Sequence, residues 1–216
     1  MNPLPVYFLS GLGADERAFR HLHLPKVAMQ HVRWLTPTRH ETIEQYAQRL
    51  LPQIPTPNPI LVGLSFGGML ALEIAKQIPT QKVIQISSAR THEVIPTFYK
   101  LGRYLPVYQW FPIKTYLRYS PLAYKRVGAR KPEDIAMLKQ IFQDADERFY
   151  KWSIHQIVHW RNRFVPDNLV QIHGTKDQLL PDYQTAHHII DGGTHFMVRD
   201  RAQEISAILN REIGLL

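Results

Sequence analysis

Short apolar runs alternate with segments of helical periodicity at both ends of the chain. The runs predict six strands, at residues 6–9, 32–35, 60–62, 83–86, 169–172 and 188–190. Helical spacing marks residues 43–51, where Thr42 and Gln45 match a capping box, and residues 202–213, which stop at Gly214. Buried strands separated by helices are typical of a parallel sheet covered on both faces. The pattern therefore predicts an α/β fold.

The middle of the chain has a different character. Residues 96–124 carry many tyrosines and basic residues between repeated prolines, and helical patterns follow at residues 132–142 and 146–160. The aromatic content is too high for a disordered linker. We therefore predict a helical segment at residues 90–165, between the fourth and fifth strands, and we call it the insertion.

Aromatic side chains are concentrated at the two ends of the insertion. They are Phe98, Tyr99, Tyr104, Tyr108, Trp110, Phe111, Tyr116, Tyr119, Trp152 and Trp160. Packing in a core is the favoured expectation for any single one of them. Those aromatic side chains that do not pack in a core would line an apolar substrate pocket.

Composition narrows the class of protein. The 216 residues are 44% hydrophobic and 20% charged, which is ordinary for one globular domain and argues against a disordered or fibrous chain. No cysteine is present, so disulfides, thiolate metal clusters and a cysteine nucleophile are excluded. The first residues show no secretory signal, and the longest apolar stretch, residues 59–72, is too short for a spanning helix. We expect a cytoplasmic protein without a membrane span.

The net charge of +8 comes entirely from the insertion, which holds 14 Lys/Arg and 6 Asp/Glu, whereas the rest of the chain is balanced. A patch of this kind can attract phosphates, anionic lipid or acidic substrates. No nucleic-acid-binding motif accompanies it, so a solvated basic face is favoured and no specific nucleic acid partner is expected. Electrostatic binding of nucleic acid or of an anionic membrane through residues 90–131 is the alternative.

The strongest chemical signal is Gly63-Leu64-Ser65-Phe66-Gly67, between a predicted strand and a predicted helix. In such a G-x-S-x-G turn the serine adopts a strained backbone that exposes its hydroxyl above the sheet. The flanking positions leave no room for a bulky Cβ. The positive end of the following helix suits a developing oxyanion. The alternative is a glycine-containing turn with an incidental serine.

A serine hydroxyl attacks only with a base, normally a histidine oriented by a carboxylate. Asp177 follows the fifth predicted strand and His195 follows the sixth, so both loops should reach the sheet edge that carries Ser65. Asp167, Asp182 and Asp191 are rival acids, and His173 is a rival base. We favour Asp177 and His195, with a structural role for His173 at its strand end.

Taken together, these segments resemble the α/β-hydrolase superfamily over nearly the whole chain. The resemblance implies that Ser65 is the nucleophile, His195 the general base and Asp177 the orienting acid. It also implies an oxyanion hole formed by the backbone N–H groups of Phe66 and Leu12. Members of that superfamily often have His-Gly in the loop after the first strand, where this chain has Ser10-Gly11-Leu12-Gly13, so the Gly13 N–H is the rival donor.

The resemblance further implies a three-layer fold with a trimmed, mostly parallel sheet of about six strands. Residues 1–216 would form a single domain with its core at residues 1–89 and 166–216. The insertion, residues 90–165, would be a helical cap over the active site.

Two other groups of residues invite functional hypotheses. His155 and His159 are spaced to share a helix face and could bind zinc, but Gln156 stands where a zinc protease has its glutamate and no third ligand is evident. Ordinary packing is favoured for both histidines. Asp15 could orient substrate, but capping of the following helix is favoured.

The sequence thus predicts a serine hydrolase that cleaves a small, hydrophobic carboxylic ester or thioester through an acyl-enzyme on Ser65, without metal or organic cofactor. The same residues also serve lactone, amide and C–C bond hydrolysis and acyl transfer. Dehalogenase chemistry is disfavoured because it needs a carboxylate at position 65. The alternative from another class is a non-catalytic or weakly catalytic ligand-binding protein on the same fold.

Overall fold

Six parallel strands form one sheet in the computed structural model, which describes residues 3–214. The strands are β1 (Leu4–Leu9), β2 (Val27–His31), β3 (Ile60–Leu64), β4 (Lys82–Ile86), β5 (Leu169–Gly174) and β6 (His188–Ile190). Their order across the sheet is β2-β1-β3-β4-β5-β6. The helices are α1 (Ile43–Leu50), α2 (Phe66–Ala75), α3 (Thr97–Lys100), α4 (Ile113–Tyr119), α5 (Pro121–Val127), α6 (Pro132–Asp144), α7 (Glu147–His159), α8 (Met197–Asp200) and α9 (Ala202–Glu212). The predicted α/β fold with a trimmed parallel sheet is confirmed.

The sheet is covered on both faces because its apolar side chains alternate between two helical layers. On β1, Tyr7 and Leu9 belong to a core that includes the buried side chains of α1 and α2. Val6 and Phe8 point to the opposite core, which is closed by α8 and α9. This alternation explains why the central strands read as unbroken apolar runs in the sequence.

The second strand lies earlier in the chain than predicted. We expected residues 32–35, but β2 ends at His31 and forms the edge of the sheet, paired with β1. An edge strand is partly exposed, so its sequence lacks a continuous apolar run. Trp34 and Leu35 are apolar because they pack on the core as a loop. The Tyr46 hydroxyl holds that loop by accepting the Leu35 N–H at 2.8 Å and donating to its carbonyl at 2.9 Å.

The predicted helix starts are confirmed by their hydrogen bonds. Thr42 and Gln45 form a reciprocal capping box at the start of α1. Asp15 caps a short 3₁₀ helix, Glu16–Phe19, by accepting the Arg17 N–H at 3.0 Å. The Arg17 guanidinium also contacts Asp15 and bridges to Asp144 on the insertion at 2.8 Å. Asp15 therefore helps to fix the loop after β1 against the insertion.

The insertion contains helices α3 to α7. The two long helices lie near their predicted positions, whereas α3, α4 and α5 are short and separated by prolines. Side chains of α5, α6 and α7 form a third apolar core together with Phe196. Among residues 3–214, no helix has the length and apolar content needed to cross a bilayer.

The aromatic side chains of the insertion have two different environments. Trp160 is buried, and its ring N–H donates to the buried Glu73 carboxylate on α2 at 2.7 Å. Trp152 packs against the core formed with α1 and α2. The expectation of core packing is wrong for six of the ten, which are exposed: Phe98, Tyr104, Trp110, Phe111, Tyr116 and Tyr119.

Candidate active site

Ser65 occupies the sharp turn between β3 and α2. Its backbone has φ 52° and ψ −119°, a strained conformation for a residue that is not glycine. The turn is held by a bond from the Ser65 N–H to the Ile86 carbonyl at 2.9 Å. The Ser88 hydroxyl donates to the Ser65 carbonyl at 2.6 Å. Ser88 is a supporting residue that the sequence analysis missed, since nothing in the local pattern pairs it with the turn.

The glycines around Ser65 are required by close contacts between backbones. A side chain at Gly63 would collide with the backbone of Gly67 and Gly68 at the start of α2. A side chain at Gly67 would collide with the carbonyl oxygens of Leu9 and Ser10, where β1 ends. These contacts place the start of α2 directly against β3 and against the end of β1.

Ser65, His195 and Asp177 form a continuous chain of hydrogen bonds. His195 Nε2 lies 2.9 Å from Ser65 Oγ, and His195 Nδ1 lies 2.8 Å from Asp177 Oδ2. Because an ionised carboxylate only accepts, Nδ1–H donates to Asp177 and leaves the Nε2 lone pair facing the serine hydroxyl. The structure therefore brings together the three side chains singled out in the sequence.

The Asp177 carboxylate is fully buried and richly hydrogen-bonded. Its Oδ1 accepts the N–H groups of Leu179 and Leu180 at 2.9 and 3.0 Å, and its Oδ2 faces His195. Burial opposes ionisation, but the neighbouring His195 and the hydrogen bonds from His173, His195 and Leu180 hold the pKa of Asp177 well below its usual range. The carboxylate is thus an anion that accepts a hydrogen bond from the His195 ring.

The rival residues have other partners. His173 is fully buried, donates from Nε2 to the Leu180 carbonyl at 2.5 Å and lies 3.3 Å from Asp177. It therefore braces the Asp177 loop, a contact that the sequence did not reveal. Within residues 3–214, none of the three rival carboxylates hydrogen-bonds His195: Asp182 accepts from Gln171 and Thr185, Asp191 accepts from Thr175, and Asp167 makes no such contact.

An apolar cavity of about 530 Å³ adjoins Ser65 and His195. Its walls come from both the sheet edge and the insertion, including side chains of α4 to α7. Most lining residues are aliphatic or aromatic. Among the described residues that line the cavity, Arg126 is the only one of the types Lys, Arg, Asp and Glu. The cavity has the volume and lining of a small-molecule site.

Two backbone donors lie beside Ser65. The Phe66 N–H is at the first turn of α2, where no intrahelical acceptor exists, and the Leu12 N–H belongs to the loop after β1. Neither N–H has an acceptor in the part of the chain that the structure describes. Gly11 lies against Ser65, and Leu12 lines the cavity. Gly13, the rival position, lies outside the cavity lining, with the Tyr150 ring packed against it.

The histidines of α7 are engaged in packing. His155 Nδ1 pairs with the Tyr108 hydroxyl at 2.8 Å, and His159 Nδ1 donates to the His155 carbonyl at 3.0 Å. The two rings lie 4.2 Å apart between centroids. Over residues 3–214, no group of three or more His, Asp or Glu side chains is arranged to hold a metal ion.

Comparison with known proteins agrees with this architecture. The model of the alpha/beta hydrolase family matches residues 6–208. No curated protein sequence matches the chain.

Solved structures share the fold at low sequence identity. A thermophilic esterase from Thermogutta terrifontis has a TM-score of 0.71 at 14% identity, covering 98% of this chain and 90% of its own. An enol-lactonase from Burkholderia xenovorans has a TM-score of 0.66 at 16% identity, covering 99% and 92%. An epoxide hydrolase from Bacillus megaterium has a TM-score of 0.70 at 12% identity, covering 99% and 94%. At these identities the likeness shows a common fold.

Proposed function

This chain belongs to the alpha/beta hydrolase family, and we propose that it is a serine hydrolase acting on small, hydrophobic carboxylic esters or thioesters. The observation that carries the proposal is the hydrogen-bonded chain from Ser65 through His195 to Asp177 at the edge of an apolar cavity. Ser65 would be the nucleophile, His195 the general base and Asp177 the orienting acid.

The first half of the reaction forms an acyl-enzyme. His195 Nε2 takes the proton of Ser65 Oγ, which lies 2.9 Å away, as Oγ forms a bond to the substrate carbonyl carbon. Asp177 stabilises the resulting imidazolium through Nδ1–H. When the tetrahedral intermediate collapses, the bond to the alcohol or thiol breaks and His195 protonates the leaving group. Water then attacks the acyl group, with His195 as base, and releases the acid and Ser65.

The oxyanion of each tetrahedral intermediate needs donors that are free before substrate binds. The N–H groups of Phe66 and Leu12 meet this condition, since neither has an acceptor within residues 3–214. The position of Leu12 in the cavity lining supports it over Gly13. Removal of one such donor costs about 2.7–4 kcal/mol of transition-state stabilisation.

The nature of residue 65 favours acyl transfer over ring opening of an epoxide. A serine that attacked an epoxide carbon would form an ether, which a water molecule cannot cleave by addition to a carbonyl. An acyl ester on Ser65 is hydrolysed by the same base that formed it. The apolar cavity wall favours a hydrophobic acyl or alcohol group, and the insertion would act as a cap that excludes water.

Steady-state hydrolysis of p-nitrophenyl esters of graded chain length tests this proposal. We expect turnover by the wild type and loss of at least about 10³-fold in kcat for Ser65→Ala. Ser87→Ala is a matched control, because Ser87 is a serine that also has a positive φ, at 49°, but it is fully buried and its hydroxyl has no partner among the described residues. Equal rates for the Ser65→Ala and Ser87→Ala variants would contradict the proposal.

The same assay separates the enzyme from a ligand-binding protein. Tight retention of a hydrophobic ester with negligible turnover by well-folded wild type would support the binding protein and overturn the hydrolase.

A further inference from the structure

The surface of the insertion is unusually apolar along one continuous segment. Of the thirteen large hydrophobic side chains exposed in the described residues, ten lie between residues 98 and 122. The ten are Phe98, Leu101, Tyr104, Leu105, Val107, Trp110, Phe111, Tyr116, Tyr119 and Leu122. Single exposed hydrophobic residues are common on protein surfaces, but this concentration within one short segment is typical of an interaction site. We call residues 98–126 the docking face.

The docking face is also exclusively basic. Residues 94–132 contain eight Lys/Arg and no Asp or Glu. Within residues 3–214, none of these eight side chains forms a salt bridge. The basic residues of the insertion that do form one, Arg148, Lys151 and Arg163, lie outside this stretch. The guanidinium of Arg118 lies over the Tyr119 ring, 5.0 Å from its centroid. Lys100 and Arg103 donate to backbone carbonyls, but no carboxylate in the described residues forms an ion pair with any of the eight.

We propose that the docking face binds the surface of an anionic lipid bilayer. Lys and Arg near such a surface are attracted by acidic headgroups. Trp and Tyr side chains settle at headgroup depth, and aliphatic side chains enter the acyl boundary. The most exposed members have this chemistry: Tyr104, Leu105 and Trp110 are 82%, 71% and 78% exposed. Charge and apolarity thus point to the same partner.

The location of the docking face links it to the proposed active site. Val107, Phe111, Tyr116 and Arg126 belong both to this face and to the lining of the apolar cavity beside Ser65. A bilayer bound here would contact residues that also line the cavity. Binding to the bilayer itself does not depend on hydrolysis.

Other partners fit the docking face less well. A second copy of the chain would bring the six positive charges of one docking face against the six of another in a symmetric contact, which is repulsive. Single-stranded nucleic acid would use the basic and aromatic residues. It would leave Leu101, Leu105, Val107 and Leu122 exposed, because aliphatic side chains offer no ring for base stacking.

Vesicle sedimentation with the full chain tests the proposal. We expect binding to phosphatidylcholine vesicles that contain about one-third phosphatidylglycerol, weak binding to pure phosphatidylcholine vesicles, and weakening of the former with added salt. The triple variant Tyr104→Ser/Leu105→Ser/Trp110→Ser should lose at least about tenfold in vesicle affinity. The control Phe164→Ser/Ile189→Ser removes exposed hydrophobic side chains outside the docking face and should bind as the wild type does.

Charge is tested by a second matched pair of variants. Lys114→Glu/Lys125→Glu should weaken binding to the anionic vesicles by at least about tenfold. Arg39→Glu/Lys139→Glu makes the same change in net charge outside the docking face and should have a much smaller effect. Circular dichroism and thermal melting confirm that each variant is folded.

Four outcomes would overturn the proposal. They are no binding to anionic vesicles at low salt, equal loss in the control and docking-face variants, binding of a single-stranded oligonucleotide that excludes vesicles, and a dimer in light scattering that the triple variant abolishes. Quenching of tryptophan fluorescence by brominated lipid, lost in Trp110→Phe, would support it directly, because Trp110 is the most exposed of the four tryptophans.

Discussion

Replacement of Asp177 by asparagine tests the proposed relay by exchanging one carboxylate oxygen for an NH₂ group. In the wild type, Oδ1 accepts two backbone N–H groups, from Leu179 and Leu180, and Oδ2 accepts from His195 Nδ1 at 2.8 Å. In the variant, the amide oxygen should keep the Oδ1 position, because an NH₂ group there would face two donors. Each donor left unpaired costs about 1–3 kcal/mol.

The amide NH₂ then occupies the Oδ2 position and donates to His195 Nδ1. The ring must carry its proton on Nε2, where it points at Ser65 Oγ, 2.9 Å away, and no lone pair remains to accept the serine proton. We expect kcat to fall by about 10⁴-fold, or about 5.5 kcal/mol of activation free energy, with little change in KM.

Initial rates with p-nitrophenyl butyrate provide the assay, and thermal melting shows whether the variant is folded. Asp191→Asn is the matched control, since Asp191 is an exposed carboxylate near the same edge and accepts from Thr175 at 3.1 Å. We expect it to remain within about twofold of the wild type. A folded Asp177→Asn enzyme that retained more than about a tenth of the wild-type kcat would refute the assigned role of Asp177.

Three further predictions follow from the packing and the electrostatics. The pKa of Asp177 is lowered in the folded state, so its ionisation stabilises the folded wild type at pH values above the pKa of the unfolded chain, and this stability is lost as pH falls. The free energy of unfolding, measured by urea titration, should therefore drop more steeply below about pH 5 in the wild type than in Asp177→Asn. Trp160→Phe should lower the free energy of unfolding by about 1–3 kcal/mol in the same titration, because the fully buried Glu73 loses a donor 2.7 Å away; an unchanged value would contradict that contact. Leu138→Trp narrows the cavity and should lower kcat/KM for p-nitrophenyl octanoate roughly tenfold more than for the acetate, whereas Leu138→Met should leave the ratio unchanged.

The central strands of the sheet were predictable because each is marked by a run of apolar residues in the sequence. Strands β3, β4 and β5 are buried on both faces and read as apolar runs, and each lies within two residues of its predicted bounds. The edge strand β2 was misplaced, because an edge strand needs few apolar residues, whereas the loop that includes Trp34 and Leu35 is apolar for tertiary reasons. Local pattern does not distinguish a buried strand from a loop packed on the core.

The candidate site was partly predictable for a similar reason. The glycines beside Ser65, and the loops that carry Asp177 and His195, are local features of sequence at the ends of parallel strands. The contact of Ser88 with Ser65 is long-range, and the contact of His173 with Asp177 depends on side-chain geometry, so no local sequence pattern indicates either of them. Core packing was wrong for the exposed aromatic residues of the insertion, although Phe111 and Tyr116 line the cavity as the alternative expectation had it, because composition alone does not separate a core from an exposed surface.

The most direct measurement for the proposed chemistry is mass spectrometry of the folded protein after exposure to a fluorophosphonate. This reagent reacts with a serine whose hydroxyl is activated by a neighbouring base. We expect one adduct, on the peptide containing Ser65, and none in Ser65→Ala or His195→Ala. A folded wild-type protein that stayed unmodified, or that carried the adduct on another residue, would contradict it.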